Sequence, residues 1–294
     1  SRILNEKGHI RITKSSGGDV LSGAVFTLKN AAGTAPYSAV ATTNGSGIAE
    51  FLDVPYGTYV LTGKNAPYGY AFTAGDSYST TDTHGVLTST AGNPSCSVTL
   101  NDMTGSSFGV TNTFEISATN TRLSGSLRFN KVDADGNGVA GAEFTLTDNN
   151  DAAKTYTATS TAAGQVEFLN LPFGTYTLTE TSIPAYYKGW IRGDKGIQVT
   201  VNSETEITLS DIVNTKLRVA IDKRTLLGTT TLSGAELGIY AQTDTGYTNP
   251  LLTWTTGAEP VFFELGSVTT QMGDVRYIVP GITYVLHEIN PPAN

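Results

Sequence analysis

With Cys96 as its only cysteine, the 294-residue chain has no partner for an intrachain disulfide. A lone thiol fits either a reduced compartment or an exported protein cross-linked by other chemistry. No run of about 18 apolar residues occurs, so this stretch carries no membrane-spanning helix. It also lacks a signal peptide, so an exported protein would contribute it as an interior segment. Basic clusters are absent and the net charge is −8, which argues against nucleic acid as a partner. The three histidines, His9, His84 and His287, are scattered. They support neither a metal site nor a hydrolase triad, and no cofactor is expected. No helical period of any length appears.

What is present is glycine, tyrosine and abundant threonine and valine, a composition suited to pleated, half-buried surfaces. Three phrases recur in order. The first is an alternating strand ending in lysine: His9–Lys14, Ser126–Lys131 and Arg218–Lys223. The second is a small-residue turn entering a strand: Leu21–Leu28, Val139–Leu146 and Leu232–Tyr240. The third is a proline–glycine turn feeding a tyrosine strand: Val54–Leu61, Leu171–Leu178 and Val279–Leu286. Short alternating strands between frequent turns indicate an all-β fold of tandem immunoglobulin-like β-sandwiches, arranged as a rod.

The repeat sets the expected modules: 9–122, with an insertion at about 70–112, then 123–216 and 217–294. Asn5 precedes Lys14 by the same nine residues that separate Asn214 from Lys223, so residues 1–8 read as the tail of a preceding module. The third repeat reads as truncated before its last strand.

In a strand, residues i, i+2 and i+4 share a face. Ile10, Ile12 and Lys14 therefore line one side, as do Leu127, Phe129 and Lys131, and Val219, Ile221 and Lys223. Tyr176, Leu178 and Glu180 align likewise, as do Tyr284, Leu286 and Glu288, and Phe114, Ile116, Ala118 and Asn120. Lysine and glutamate are rarely buried unless paired. A single such lysine snorkels outward; three in register call for a chemical role. Burial lowers a lysine's pKa and raises a glutamate's, leaving a free amine beside a neutral acid. That amine can attack an asparagine amide, with the acid polarising the carbonyl and moving protons. Ammonia leaves and a Lys–Asn amide remains. The reaction happens once per molecule, so no enzymatic turnover is expected.

Together with a closing Asn-Thr, these phrases resemble the Cna-B (SpaA-like) repeat domains of Gram-positive surface adhesins and pilins, over nearly the whole chain. The resemblance implies a transthyretin-type sandwich in which a first-strand lysine joins a last-strand asparagine with an intervening glutamate assisting. The second repeat carries the full set, Lys131, Glu180 and Asn214. The first carries Lys14 and Asn120, with Asn112 as the fallback, but Gly63 stands at the acid position. Its bond is expected to be absent or slow unless an acid from the insertion substitutes. The third carries Lys223 and Glu288 without a partner asparagine. A single ammonia loss is therefore expected, from the second repeat.

Elsewhere, Asp133-Ala134-Asp135-Gly136-Asn137-Gly138 imitates the start of a calcium loop, but Phe144 occupies its twelfth position, so a turn is expected. The insertion (Tyr68, Tyr70, Phe72, Tyr78) and the cluster Tyr186, Tyr187 and Trp190 are candidate surfaces for a host glycan or matrix protein. Neither a sortase anchoring signal nor a Tyr-Pro-Lys pilin motif occurs. The leading expectation is a stalk segment of an adhesin or pilus subunit, extracellular and attached to the cell wall of a Gram-positive bacterium, with neighbouring modules of the same polypeptide as partners. The alternative is an adhesive module using one of those two surfaces.

Overall fold

A computed structural model describes residues 7–31, 37–101, 113–189 and 196–292. Asn5, Asn112 and Trp190 lie outside them. By internal packing the chain divides into two compact units, one of Ser1–Ser126, Leu169–Thr175 and Thr200–Ile207, the other of Leu127–Phe168, Tyr176–Val199 and Thr208–Asn294. The Lys14 site lies wholly in the first unit, the Lys131 and Lys223 sites in the second. The described residues form strands, turns and loops without a helix, and so none long and apolar enough to cross a membrane.

In the first repeat, one sheet runs in the order Asp19–Val20, Lys7–Ser16, Thr113–Thr119, Tyr78–Ser79, and Ile48–Pro55 also pairs with Lys7–Ser16. The other sheet is Ser38–Thr42, Val25–Asn30, Gly57–Asn65, Ser95–Leu100, Val86–Thr88. The alternation in each strand sends its apolar side chains into one core, where Ile10, Ile12, Phe26, Leu28, Tyr59, Leu61, Val98 and Phe114 are buried. The second repeat follows the same plan. Ser124–Asp133 lies between Gln165–Pro172 and Ile212–Lys216, and Gly174–Ser182 lies between Glu143–Asp148 and Ile197–Val201. In both repeats the lysine strand and the closing strand run parallel, which a sandwich allows because the intervening strands carry the chain across.

Part of the segment expected as an insertion belongs to the sandwich. Ser95–Leu100 pairs antiparallel with Gly57–Asn65 and buries Cys96, Val98 and Leu100. Phe72 and Tyr78 stack on one another against the same core, Tyr78 buried and Phe72 partly so.

The third repeat has a smaller core of Leu237, Ile239, Leu252, Trp254 and Phe263. Val219 and Leu286, expected on core-facing rows, are exposed. Among the described residues, Arg218–Ile221 is flanked only by Val261–Leu265 and Tyr284–Asn290 only by Glu236–Ala241. The matching strands of the other repeats are covered on both edges. An edge position leaves one flank of each side chain without a neighbour.

Candidate functional site

Each lysine is fixed first through its backbone. Lys14 N–H donates to the Gly47 carbonyl (2.8 Å) and Lys131 N–H to that of Gly164 (2.6 Å). The lysine carbonyls accept N–H groups from Leu21 and Val139, as the Lys223 carbonyl does from Leu232. Gly47 and Gly164 have φ of +72° and +82°. A Cβ on either would come within 2.8 Å of Lys14 O or 2.2 Å of Lys131 O. Both the backbone angle and the contact demand glycine. The sequence held a signal for these residues: Gly47–Leu52 and Gly164–Leu169 form a fourth recurring phrase, Gly-x-(Ala/Val)-Glu-Phe-Leu, not recognised in the reading above.

The second repeat brings its three expected residues together. Lys131 and Asn214 are fully buried. Lys131 pairs with Ile212 in the parallel ladder, and Asn214 lies two residues further on the same face. Lys131 Nζ donates to the Ile212 carbonyl at 2.9 Å. Asn214 Nδ2 donates to Glu180 Oε1 at 2.7 Å, and Asn214 Oδ1 is buried without a hydrogen-bond partner among the described residues. Burial lowers the Lys131 pKa to about 8 against the opposing charge of Glu180. The geometry gathers a buried amine, a buried amide and a partly buried carboxyl group.

The first repeat keeps the same register without the same acid. Lys14 pairs with Ala118, and Asn120 lies two residues beyond. Gly63 opposes Phe26 just after a bulge, as Glu180 opposes Phe144 and Glu288 opposes Leu237, so the three positions are equivalent in the ladder. In place of a carboxyl, the Tyr78 hydroxyl accepts the Gly63 N–H at 2.9 Å and donates to the Pro94 carbonyl at 2.8 Å. A Cβ on Gly63 would sit 2.8 Å from that phenol oxygen. Gly63→Ala should therefore cost about 1–3 kcal/mol by overpacking. Most of that cost should disappear in a Tyr78→Phe background; urea unfolding of the four-member cycle checks it, and an undiminished cost would refute the collision.

In the third repeat, Lys223 Nζ meets Glu288 Oε2 at 3.0 Å, with both side chains partly exposed. The two expected residues are adjacent, as an ion pair.

A further charged group was missed in the sequence. Asp133 lies two residues beyond Lys131 and pairs with Asn214; Lys216 lies two beyond Asn214. Lys216 Nζ is 3.1 Å from Asp133 Oδ2 and 3.4 Å from Glu264 Oε2, and Arg218 reaches Glu264 Oε1 at 3.1 Å. Burial alone would lower the Lys216 pKa, but bonds and charge from Asp133 and Glu264 hold it above its ordinary value. Burial alone would raise that of Asp133, but hydrogen bonds from Asn137 and Lys216 hold it below. The calcium-loop imitation is a turn: Asp133 Oδ1 accepts the N–H groups of Asp135 and Asn137, both at 2.9 Å. Tyr186 and Tyr187 line a cavity of about 330 Å³ with Asp133, Lys216, Glu264 and Tyr277.

A family model described as SpaA, prealbumin-like fold domain, matches residues 8–93 and 125–216. Among solved structures, the TIE protein of Bacillus anthracis is 22% identical with a TM-score of 0.54, over 98% of this chain and 49% of its own. The chain thus spans about half the length of that protein. A C-terminal fragment of the pilus adhesin SpaC from Lactobacillus rhamnosus GG is 20% identical with a TM-score of 0.43, over 72% of this chain and 98% of its own. The minor pilin GBS52 of Streptococcus agalactiae is 16% identical with a TM-score of 0.30, over 74% and 99%. No curated protein matches.

Proposed function

Because this chain belongs to the SpaA prealbumin-like fold domain family, we propose that it is a structural stalk segment of a Gram-positive surface adhesin or pilus subunit, and that its second repeat joins Lys131 to Asn214 by an amide bond. The observation that carries this reading is the trio of buried amine, buried amide and adjoining carboxyl group.

With a pKa of about 8, roughly one Lys131 in ten is uncharged at pH 7. Its nitrogen attacks Asn214 Cγ, Glu180 carries the proton from that nitrogen to the departing Nδ2, and ammonia leaves. The hydrogen bond from Asn214 Nδ2 to Glu180 already sets the carboxyl group at the leaving nitrogen. Folding supplies the proximity that the uncatalysed reaction lacks. Each molecule reacts once, which makes this self-modification rather than turnover. The bond needs no oxidant, consistent with a chain holding one cysteine.

Intact-mass measurement of the full chain, with peptide mapping, tests the reading. The protein should be short by the mass of ammonia at a Lys131–Asn214 cross-link. In protein refolded from an unreacted state, the rate should rise as the pH approaches about 8 and level above it, following the free amine. A second repeat with unmodified mass would refute the cross-link.

A second reading, an adhesive module for a host glycan or matrix protein, draws support from the cavity beside Tyr186 and Tyr187. Tyr186 has φ of +72°, a backbone strain of the kind that accompanies ligand sites. Binding on a glycan and matrix-protein array would favour it; silence favours the stalk.

A further inference from the structure

The first repeat buries an acid that the lysine, glutamate and asparagine phrases do not contain. Ala118 and Ser117 of the closing strand pair antiparallel with Tyr78 and Ser79. The pairing continues through the Thr119 N–H bond to the Ser77 carbonyl at 3.1 Å, which sets Asp76 opposite Asn120. Residues directly opposite in a ladder share a face with neighbouring side chains, and both of these are buried. Asn120 therefore stands between Lys14 on one neighbouring strand and Asp76 on the other.

The surroundings of the three residues are polar on one side and unsatisfied on the other. Asp76 Oδ2 accepts the N–H and hydroxyl of Thr73 at 2.8 and 3.0 Å, and those of Thr121 at 3.0 and 2.9 Å. Lys14 Nζ and Asn120 Nδ2 are buried without a hydrogen-bond partner among the described residues. They line a cavity of about 20 Å³ with Gly63, Phe72 and Tyr78, enough for one water molecule. Two unsatisfied donors in a closed core are costly, and a bond between the two side chains expels Asn120 Nδ2 as ammonia and leaves Lys14 Nζ as a single uncharged amide N–H.

We propose that Asp76 supplies the acid–base group missing at Gly63, and that Lys14 and Asn120 form a second amide cross-link. The inference rests on the self-joining chemistry proposed for Lys131 and Asn214, and it departs from that pattern in the acid's origin. Glu180 reaches its asparagine from the facing sheet; Asp76 reaches Asn120 from the adjacent strand of the same sheet. The uncharged Lys14 nitrogen attacks Asn120 Cγ, forming the new C–N bond as the carbonyl electrons move to Oδ1. The Asp76 carboxylate takes a proton from that nitrogen. The Cγ–Nδ2 bond breaks as the carbonyl re-forms, Asp76 returns the proton to Nδ2, and ammonia departs. The balance needs no oxidant or co-reactant.

The electrostatics fit these roles. Burial lowers the Lys14 pKa to about 8 despite the charge of Asp76. Burial alone would raise the Asp76 pKa, but its hydrogen bonds from Thr73 and Thr121 outweigh that and hold it below the ordinary value, in the base form.

The test is intact mass and peptide mapping of the full chain and its variants. The unaltered chain should lack two ammonias, one mapped to Lys14–Asn120 and one to Lys131–Asn214. Asp76→Asn and Glu180→Ala should each lack one, and the double variant none. A chain lacking one ammonia with an unlinked Lys14 peptide overturns this inference alone and leaves the second repeat's bond standing. So does an Asp76→Asn chain still linked at Lys14. A chain of unmodified mass overturns both. The measurement on the unaltered chain does not depend on any variant folding.

Discussion

Glu180→Ala should lower the melting temperature of the second repeat by about 20 °C, because it leaves Lys131 and Asn214 unjoined. The bond closes a loop of roughly 84 residues, worth about 4–5 kcal/mol in the loop-entropy treatment used for disulfides. A sandwich of about 90 residues unfolds with an entropy near 0.2 kcal/mol per kelvin, which converts that loss to the stated shift. The hydrogen bond lost between Glu180 and Asn214 contributes only about 1 kcal/mol, so the cross-link dominates. Calorimetry of the full chain should show one transition moving while the others hold. Lys131→Met, which removes the nucleophile and leaves the acid, should move the same transition by a similar amount. If Glu180→Ala moved it by only a few degrees, the cross-link would not be what stabilises the repeat.

Lys216→Ala should cost about 3 kcal/mol at neutral pH. Its ammonium lies against Asp133 and Glu264, both buried, and removing one partner of a buried ion pair leaves charge without compensation. Arg218 continues to serve Glu264, so the greater loss falls on Asp133. The pH dependence follows from the directions of the shifts. Asp133 titrates below its ordinary value, so its stabilisation is complete above the usual carboxylate range and lost as pH falls through the lowered value. Lys216 titrates above 10.5, so its share is complete below that pH and lost as pH rises past the folded value. Urea unfolding of both proteins at pH 7 and at about pH 3 should show the gap between them narrowing in acid as Asp133 protonates. A gap of equal size at both pH values would mean that Lys216 acts through packing alone.

The lysine rows were legible because period-two alternation marks a strand face without reference to the fold. Ile10, Ile12 and Lys14, and Leu127, Phe129 and Lys131, are buried as the alternation requires. Spacing alone aligned Gly63, Glu180 and Glu288, which hold equivalent ladder positions opposite Phe26, Phe144 and Leu237. Three things were not legible. Val219 and Leu286 alternate like their counterparts yet lie exposed, because burial depends on flanking strands that a single strand's pattern does not report. Ser95–Leu100 is a sheet strand inside a segment taken for an insertion, since a repeat aligned on three phrases is silent between them. Asp76 and Lys216 sit in no recurring phrase, and their partners Asn120 and Asp133 are distant in the chain, so only the folded ladder brings them together.

The diagonal shared by Lys131 with Asn214 and by Asp133 with Lys216 also acts as a proofreading device for strand register. Because side chains alternate, a slip that keeps the core side chains facing inward must move the closing strand by two residues. One such slip puts Lys216 in the place that Asn214 holds diagonal to Lys131, setting two cations side by side. The opposite slip puts Ile212 in that place. Either slip takes Asn214 away from the position where it meets Glu180, so only a correctly paired closing strand offers its asparagine for permanent attachment.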